Sequence, residues 1–256
     1  MGKCQQCGLL YVDPRPSDDE INDANKVGVH RGEDGALDVR SHYRASKTRQ
    51  YAAIIRKLFG HDWSEGKPIS WFDVGAGYGE VVAAVQQVAP AGSTVCGIEP
   101  MQPKVERAQS LGLPVSSRLL KDMTGPYDVI SLINVYSHVP DFLSFGAELV
   151  AKLRPGGVLF VETGNIADLA NREQFADKLY LPDHLVFSGP GQMRRTFEQI
   201  GLVLESKDER AVDSLLWCAK VAVRNALRGR ISVPLPWHSK FRTVFYKARR
   251  PLTRHA

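Results

Sequence analysis

Phe72-Asp73-Val74-Gly75-Ala76-Gly77-Tyr78-Gly79 is the stretch that decides the fold. The apolar run Ile69–Val74 leads into it and reads as a strand. Gly79–Ala89 leads out of it as a helix, with Val81, Val82, Val85 and Val88 turned inward. Glycines between a strand and a helix let the backbone bend sharply and let a ligand come where a Cβ would stand. Glu99 ends the next predicted strand, Thr94–Ile98, 20 residues beyond Gly79. A carboxylate there can accept both ribose hydroxyls of a nucleoside.

The same alternation continues outward. Gln102–Leu111, Phe142–Leu153 and Gln192–Ile200 are predicted helices; Leu113–Ser116, Tyr127–Val135, Gly157–Glu162, Leu202–Ser206 and Leu215–Val223 are predicted strands. Strands alternating with helices imply an α/β fold: a Rossmann-like, doubly wound, mostly parallel sheet with an antiparallel last strand. Upstream, Arg40–Phe59 is a predicted helix with Tyr51, Ile54, Ile55, Leu58 and Phe59 on one face. Ser17-Asp-Asp-Glu20 reads as a capping box after Pro14-Arg15-Pro16, and Val27–Asp38 reads as a polar, mobile stretch. The division is an N-terminal extension over 1–39, a nucleoside-binding domain over 40–223 and a basic tail over 224–256. No repeat of fixed period interrupts this order.

The turn itself selects the nucleoside. A dinucleotide fingerprint wants Gly or Ala three residues after its second glycine, so that a pyrophosphate can sit on the helix N-terminus. Glu80 stands there, and a carboxylate repels a diphosphate. Asp73, two residues before the first glycine, suits a cationic group such as an amino acid ammonium. Ammonium at one end and ribose at the other describe S-adenosylmethionine rather than NAD.

Asp73-Val-Gly-Ala-Gly-Tyr-Gly79, Glu99, Tyr127-Asp-Val-Ile130 and Leu153-Arg-Pro-Gly-Gly157 resemble, in order and spacing, the motifs of class I S-adenosylmethionine-dependent methyltransferases. The resemblance spans about Arg40 to Val223. It implies S-adenosylmethionine as cofactor, with Gly75 and Gly77 at its methionine end, Glu99 on the ribose, and Asp73, Ala76 and Gly79 also binding it. Asn134 would lie near the sulfonium, and the loop Ser117–Met123 would meet adenine through Leu119 or Asp122.

Two histidines follow strands that should flank the cofactor. His138 lies in Asn134-Val-Tyr-Ser137-His138; related enzymes often have Glu before this His, where Ser137 stands here. His184, in Tyr180-Leu-Pro-Asp183-His184, resembles the acidic-His segment that supplies the base in sugar C-methyltransferases, with Asp183 placed to orient the ring. A neutral imidazole suits proton abstraction near pH 7. Methyl transfer needs a base only where the nucleophile must lose a proton. His184, Asp183 and His138 are therefore the catalytic candidates, and Glu162 and Asn165 are further pocket candidates. Exocyclic-amine methylation of nucleic acid calls for (Asn/Asp)-Pro-Pro-(Tyr/Phe) after the fourth strand; this chain has Asn134-Val-Tyr-Ser137.

Cys4-Gln-Gln-Cys7 has the spacing of half a zinc knuckle, but a structural zinc needs four ligands. The segment through Ser17 resembles the second half of the zinc ribbon found before many bacterial sugar-type methyltransferases, without the first Cys-x-x-Cys. No bound metal is expected, and Cys96 and Cys218 read as small core residues.

Composition bounds the rest. Hydrophobic residues make up 43% and charged residues 24% of 256, a globular balance. No apolar run approaches a membrane span, and the start lacks the apolar core of a secretory signal. Gly2 is not followed by Ser or Thr at position 6, which argues against myristoylation. Four cysteines fit a reducing cytoplasm. The net charge of +5 is divided: residues 214–256 hold ten Lys/Arg and no acid, so the first 213 carry −5. Around Trp237 the tail reads as a basic amphipathic helix through Phe241, Val244, Phe245 and Ala248. Its readings are, in order, packing or solvated extension, contact with an anionic membrane surface, and RNA binding.

The expected function is methyl transfer to a small molecule in sugar or secondary-metabolite biosynthesis, the acceptor being a nucleotide-linked or lipid-linked sugar. The rivals are an NAD-dependent oxidoreductase, a catalytically idle binding module and, further back, an RNA methyltransferase.

Overall fold

Short Val- and Ile-rich runs set side by side need both faces covered, and the chain supplies helices for each. The computed structural model describes residues 1–27, 29–32, 35–38, 42–168, 184–211 and 241–252, with five isolated positions between 219 and 227. In chain order the elements are β1 (Gly2–Lys3), β2 (Leu10–Tyr11), α1 (Asp18–Val27), β3 (Val29–Gly32), β4 (Gly35–Asp38) and α2 (Ala45–Phe59). There follow β5 (Ser70–Val74), α3 (Glu80–Val88), β6 (Thr94–Ile98), α4 (Gln102–Ser110), β7 (Val115–Ser116) and β8 (Tyr127–Ile133). The remainder are α5 (Phe142–Lys152), β9 (Leu153–Gly164), β10 (Val186–Phe187), α6 (Pro190–Gln199), β11 (Val203–Ala211) and β12 (Arg242–Arg249).

Seven strands form one sheet in the order β11-β12-β9-β8-β5-β6-β7. The pairs β5–β6, β5–β8, β6–β7 and β8–β9 are parallel, whereas β12 runs antiparallel to both β9 and β11. Successive residues of β5 show the two-sided burial. Trp71 packs with Ile55 and Phe59 of α2 and Val85 of α3, and Phe72 packs with Leu149 of α5 and Phe197 of α6. The chain runs outward from β5 through β6 to β7, then returns to β8 on the other side of β5. Ligands of such sheets bind beyond the strand ends at that reversal.

The N-terminal capping box forms: Ser17 N–H donates to Glu20 Oε2 at 2.8 Å, and Glu20 N–H donates to Ser17 Oγ at 3.3 Å. Within 27–38, β3 and β4 pair antiparallel. The antiparallel last strand exists, but not where it was expected. Leu215–Val223 lies largely outside the described residues, and the strand is Arg242–Arg249, read from sequence as a helix beyond the domain. Eight residues are too few to separate the two periods, and Thr, Val, Phe and Tyr favour the extended form once two strand edges are available. Val244, Tyr246 and Ala248 enter the α5–α6 side of the core, and Phe245 enters the α2–α3 side.

The charge of this strand is used internally. Lys247, 4% exposed, donates from Nζ to Asp62 Oδ1 at 3.0 Å and to the Leu58 carbonyl at 3.2 Å, and lies over the Phe59 ring. Arg249 donates to Asp62 Oδ2 at 2.7 Å and Glu205 Oε2 at 2.8 Å. Burial works against Asp62 as an anion, yet the hydrogen bonds from Arg249 and Lys247 hold its carboxyl below the usual range. Arg250 donates to the Val150 carbonyl at 2.9 Å. Of the apolar residues in the helical reading, Val244, Phe245 and Ala248 are core residues, and Phe241 is partly buried against a smaller cluster. Among the described residues no helix is long and apolar enough to cross a membrane.

Lys247→Ala strands Asp62 and Glu205 beside a hole in the sheet. Because both carboxylates keep some solvent contact, the expected loss is about 1–3 kcal/mol in urea unfolding. An unchanged midpoint would show that Arg249 alone neutralises the pair.

Candidate functional site

The C-terminal ends of β5, β6 and β8 converge on one carboxylate. Asp73 is 1% exposed, and its Oδ1 accepts from Ser131 Oγ at 2.5 Å. Ser131 in turn accepts from Trp71 Nε1–H at 2.8 Å. Asp73 Oδ2 is buried and has no hydrogen-bond donor among the described residues. Burial pushes its carboxyl up to about 7; Ser131 opposes the rise, and Glu99 and Glu80 add to it.

Asp73 opens a cavity of about 580 Å³. Its walls include Gly75, Ala76, Gly77, Glu80, Glu99 and Asn134, with His138 at one side. Gly75 and Ala76 donate their N–H groups to the Ile98 carbonyl, both at 2.9 Å, which tucks the turn against β6. Gly77 has φ +56°, and a Cβ there would meet no atom within 4 Å. A side chain would therefore stand in open space at the cavity wall. Glu99 Oε2 accepts from Gly77 N–H at 2.9 Å and Oε1 from Met101 N–H at 3.1 Å, so both oxygens are fixed at the cavity edge. Glu80 lies at the first turn of α3 and accepts from Arg44 N–H at 3.1 Å.

Two assignments change. Gly79, expected to touch the cofactor, does not line the cavity. Its φ of +84° starts α3, and a Cβ would come 2.6 Å from Leu113 Cδ1, so it serves close packing. Asp122 is exposed and turns back to accept from Leu119 N–H at 3.3 Å, whereas Ser117, Arg118, Leu119 and Leu120 form that wall. Both side chains are exposed; what separates Leu119 from Asp122 is which of them faces the cavity, a difference invisible in a loop sequence. Lys47 and Tyr51 of α2 also line the cavity and were not anticipated. Their four-residue spacing puts them on one side of the helix, but nothing in it marks that side as a cavity wall.

A second cavity of about 180 Å³ adjoins the first, and Asn134 lines both. Asn134 has φ +59°, a left-handed backbone that a non-glycine residue seldom adopts. Ser137, Glu162, Thr163, His184, Phe187, Phe241 and Thr243 belong to the second cavity. The rings of His138 and His184 meet edge-on, their centroids 4.9 Å apart. Asp183 lies outside the described residues. Asn165 does not line either cavity; its Oδ1 accepts from Arg242 N–H at 2.8 Å and ties β9 to β12.

The N-terminal extension supports this wall. β10 pairs with β2, and β2 with β1. Leu185 N–H donates to the Ser137 carbonyl at 2.7 Å and Val12 N–H to the Leu185 carbonyl at 2.9 Å, so the residue after His184 is bound on both sides. Cys4 and Cys7 sit on the turn between β1 and β2, where the N–H groups of Cys7 and Gln6 hold the Cys4 thiol below its usual value. Among the described residues no three metal-ligating side chains converge. Cys96 packs beside the core, and Cys218 lies outside the described residues.

Residues 41–207 match the sequence profile of a family described as a methyltransferase domain. The chain belongs to that family, the class I S-adenosylmethionine-dependent methyltransferases. Among curated relatives, the ubiquinone biosynthesis O-methyltransferase of Vibrio parahaemolyticus is 30% identical over 148 residues, 51% of this chain and 62% of the relative. That of Actinobacillus pleuropneumoniae is 36% identical over 107 residues, 36% of this chain and 44% of the relative. The matches therefore span about half the length of those relatives. A putative sarcosine dimethylglycine methyltransferase from Galdieria sulphuraria superposes with a TM-score of 0.58 at 15% identity, over 92% of this chain and 99% of that one. The magnesium protoporphyrin IX methyltransferase of Synechocystis PCC 6803 with bound SAH gives 0.53 at 13% identity, over 80% and 84%. At such identities these two likenesses speak for the fold.

The residues of the methyltransferase fit S-adenosylmethionine. The free oxygen of Asp73 suits its ammonium, the glycine turn leaves room for its methionine end, and the fixed carboxylate of Glu99 suits the ribose hydroxyls.

Without a cation, Asp73 favours its protonated form, so it weakens the apo fold as pH rises. Its contribution is fully present below the unfolded-state value near 3.8 and is lost as pH climbs through about 7. Asp73→Asn should flatten that part of the stability curve and raise apo Tm at pH 8, while weakening S-adenosylhomocysteine binding at least about tenfold. Thermal scans between pH 4 and 8 with calorimetric titration check both; a parallel pH curve in the variant would contradict the assignment.

Proposed function

We propose that this methyltransferase acts on a hydroxyl of a small polyhydroxylated acceptor, a sugar or glycan precursor. The observation that carries the reading is the meeting of two cavities at Asn134, with the His138 and His184 rings 4.9 Å apart across the junction. S-adenosylmethionine supplies an electrophilic methyl group on a sulfonium. The chain has then to seat the acceptor in line and take its proton. Asn134, Ser137, Glu162, Thr163 and Thr243 give the second cavity the polar lining that a sugar ring calls for. His184 serves as base, with His138 beside it and Asp183 proposed to orient it. The relatives named for O-methylation favour oxygen as the acceptor atom.

Those relatives also support a second reading, an acceptor of the ubiquinone-precursor type, for which Phe187 and Phe241 would flank a ring. The NAD-dependent alternative meets Glu80 on the cavity wall at the N-terminus of α3, where a diphosphate would be repelled. An RNA substrate has little support from the described part of the basic tail, since Lys247 and Arg249 are paired with carboxylates.

His184→Ala should keep S-adenosylhomocysteine affinity within about threefold and lose about 10²- to 10⁴-fold in turnover. The check is transfer of a labelled methyl group across a panel of nucleotide sugars and hydroquinones. Transfer to hydroquinones alone would select the second reading, and full turnover by the variant would remove His184 as base.

A further inference from the structure

The second cavity contains a carboxylate to which the methyl transfer described above assigns no proton. Glu162 lies near the end of β9, registered beside Ile133 of β8 and Phe245 of β12, so that it neighbours Asn134, the residue shared by both cavities. Its Oε2 is shut off from solvent and has no hydrogen-bond donor among the described residues. Burial pushes the carboxyl up to about 7, opposed only by Lys47. The described elements around it bring the following groups. From α2 come Lys47 and the hydroxyl of Tyr51, whose own proton is held tightly by burial and by Glu162, Glu80 and Asp73. From the turn after β8 come Asn134, Ser137 and His138; from the segment before β10, His184; from β12, Thr243 and Phe245. Lys47 lines the larger cavity with an exposed side chain, and its charge acts on Glu162 without a hydrogen bond to Oε2.

We propose that Glu162 is the proton-accepting residue that answers the charge of the cofactor: it is ionised while a sulfonium cation occupies the junction and protonated once that cation is gone. The inference rests on the functional reading above. When an acceptor hydroxyl is methylated, a C–O bond forms, the S–C bond breaks, and the oxygen loses its proton. One positive charge vanishes from the sulfur for each proton released, and the lost charge favours the neutral form of Glu162, whose Oε2 is shut off from solvent. The proton that leaves the acceptor, by way of His184, therefore has a resting place inside the site.

The test needs no acceptor. S-adenosylmethionine and S-adenosylhomocysteine both bring the ammonium that faces Asp73, so proton release caused by Asp73 cancels between them, and only the sulfonium differs. Calorimetric titration at pH 7 in buffers of different ionisation enthalpy should show more protons released by S-adenosylmethionine. The affinity ratio of the two ligands should shift toward S-adenosylmethionine by up to about tenfold between pH 6 and 8. In Glu162→Gln both ligands should still bind, with the difference in proton release and most of the pH shift gone. A difference that persists in Glu162→Gln would assign it to His138 or His184 and overturn the proposal, as would equal proton release by both ligands in the unmodified protein. Should the variant not fold, ¹³C labelling of glutamate carboxyls in the unmodified protein decides. One resonance should titrate near pH 7 with S-adenosylhomocysteine and stay ionised at pH 6 with S-adenosylmethionine; its absence would overturn the proposal. Failure of both ligands to bind the unmodified protein would instead overturn the functional reading itself.

Discussion

A carboxylate that the fold buries and half satisfies organises the C-terminal edge of the sheet. Parallel pairing sets Asp73 beside Ser131 on one flank and Gly97 on the other, and the Trp71–Ser131–Asp73 chain fixes one of its oxygens. The other oxygen faces the interior with no donor among the described residues. Leaving a polar atom in that state weakens the empty protein, and Glu80 and Glu99 deepen the effect by adding negative charge. A ligand that brings an ammonium removes the penalty. A cationic ligand would draw affinity from that unsatisfied oxygen, and the surrounding core, Trp71 and Phe72 at 0% exposure, holds it in place.

The parallel half of the fold was legible because each element there satisfies a local and a global rule together. Thr94–Ile98 holds three β-branched residues and lies between two strands, its last two residues buried, and Glu80–Val88 repeats valines at helical spacing over that sheet. Arg242–Arg249 was not legible, since a strand that slots between β9 and β11 draws its extended form from partners far away in sequence. Its lysine and arginine looked like surface. They are neutralised by Asp62 and Glu205, which belong to other elements. The basic character of the chain's end is thus in part a packing device of the sheet.

The cofactor side of the site followed the same division. Asp73, Gly75, Ala76, Gly77, Glu99 and Asn134 lie at strand ends and on the turns after them, and all line the larger cavity. Lys47 and Tyr51 reach it from a helix whose sequence shows only an amphipathic pattern. The acceptor side depends on tertiary structure more heavily still. His138 and His184 are separated by α5 and β9 in the chain, and their ring contact arises because Leu185 bonds to Ser137 while β10 is held by the N-terminal strands. The segment that looks like half a zinc ribbon therefore has a structural task at the site.

Asp73, the glycine turn and Glu99 together suit an aminoacyl nucleoside rather than a dinucleotide. Calorimetric titration of the unmodified protein with S-adenosylhomocysteine and, separately, NAD tests it most directly. The account predicts one S-adenosylhomocysteine per chain and no measurable heat with NAD, the diphosphate being turned away by Glu80. Saturable NAD binding with no response to S-adenosylhomocysteine would contradict it.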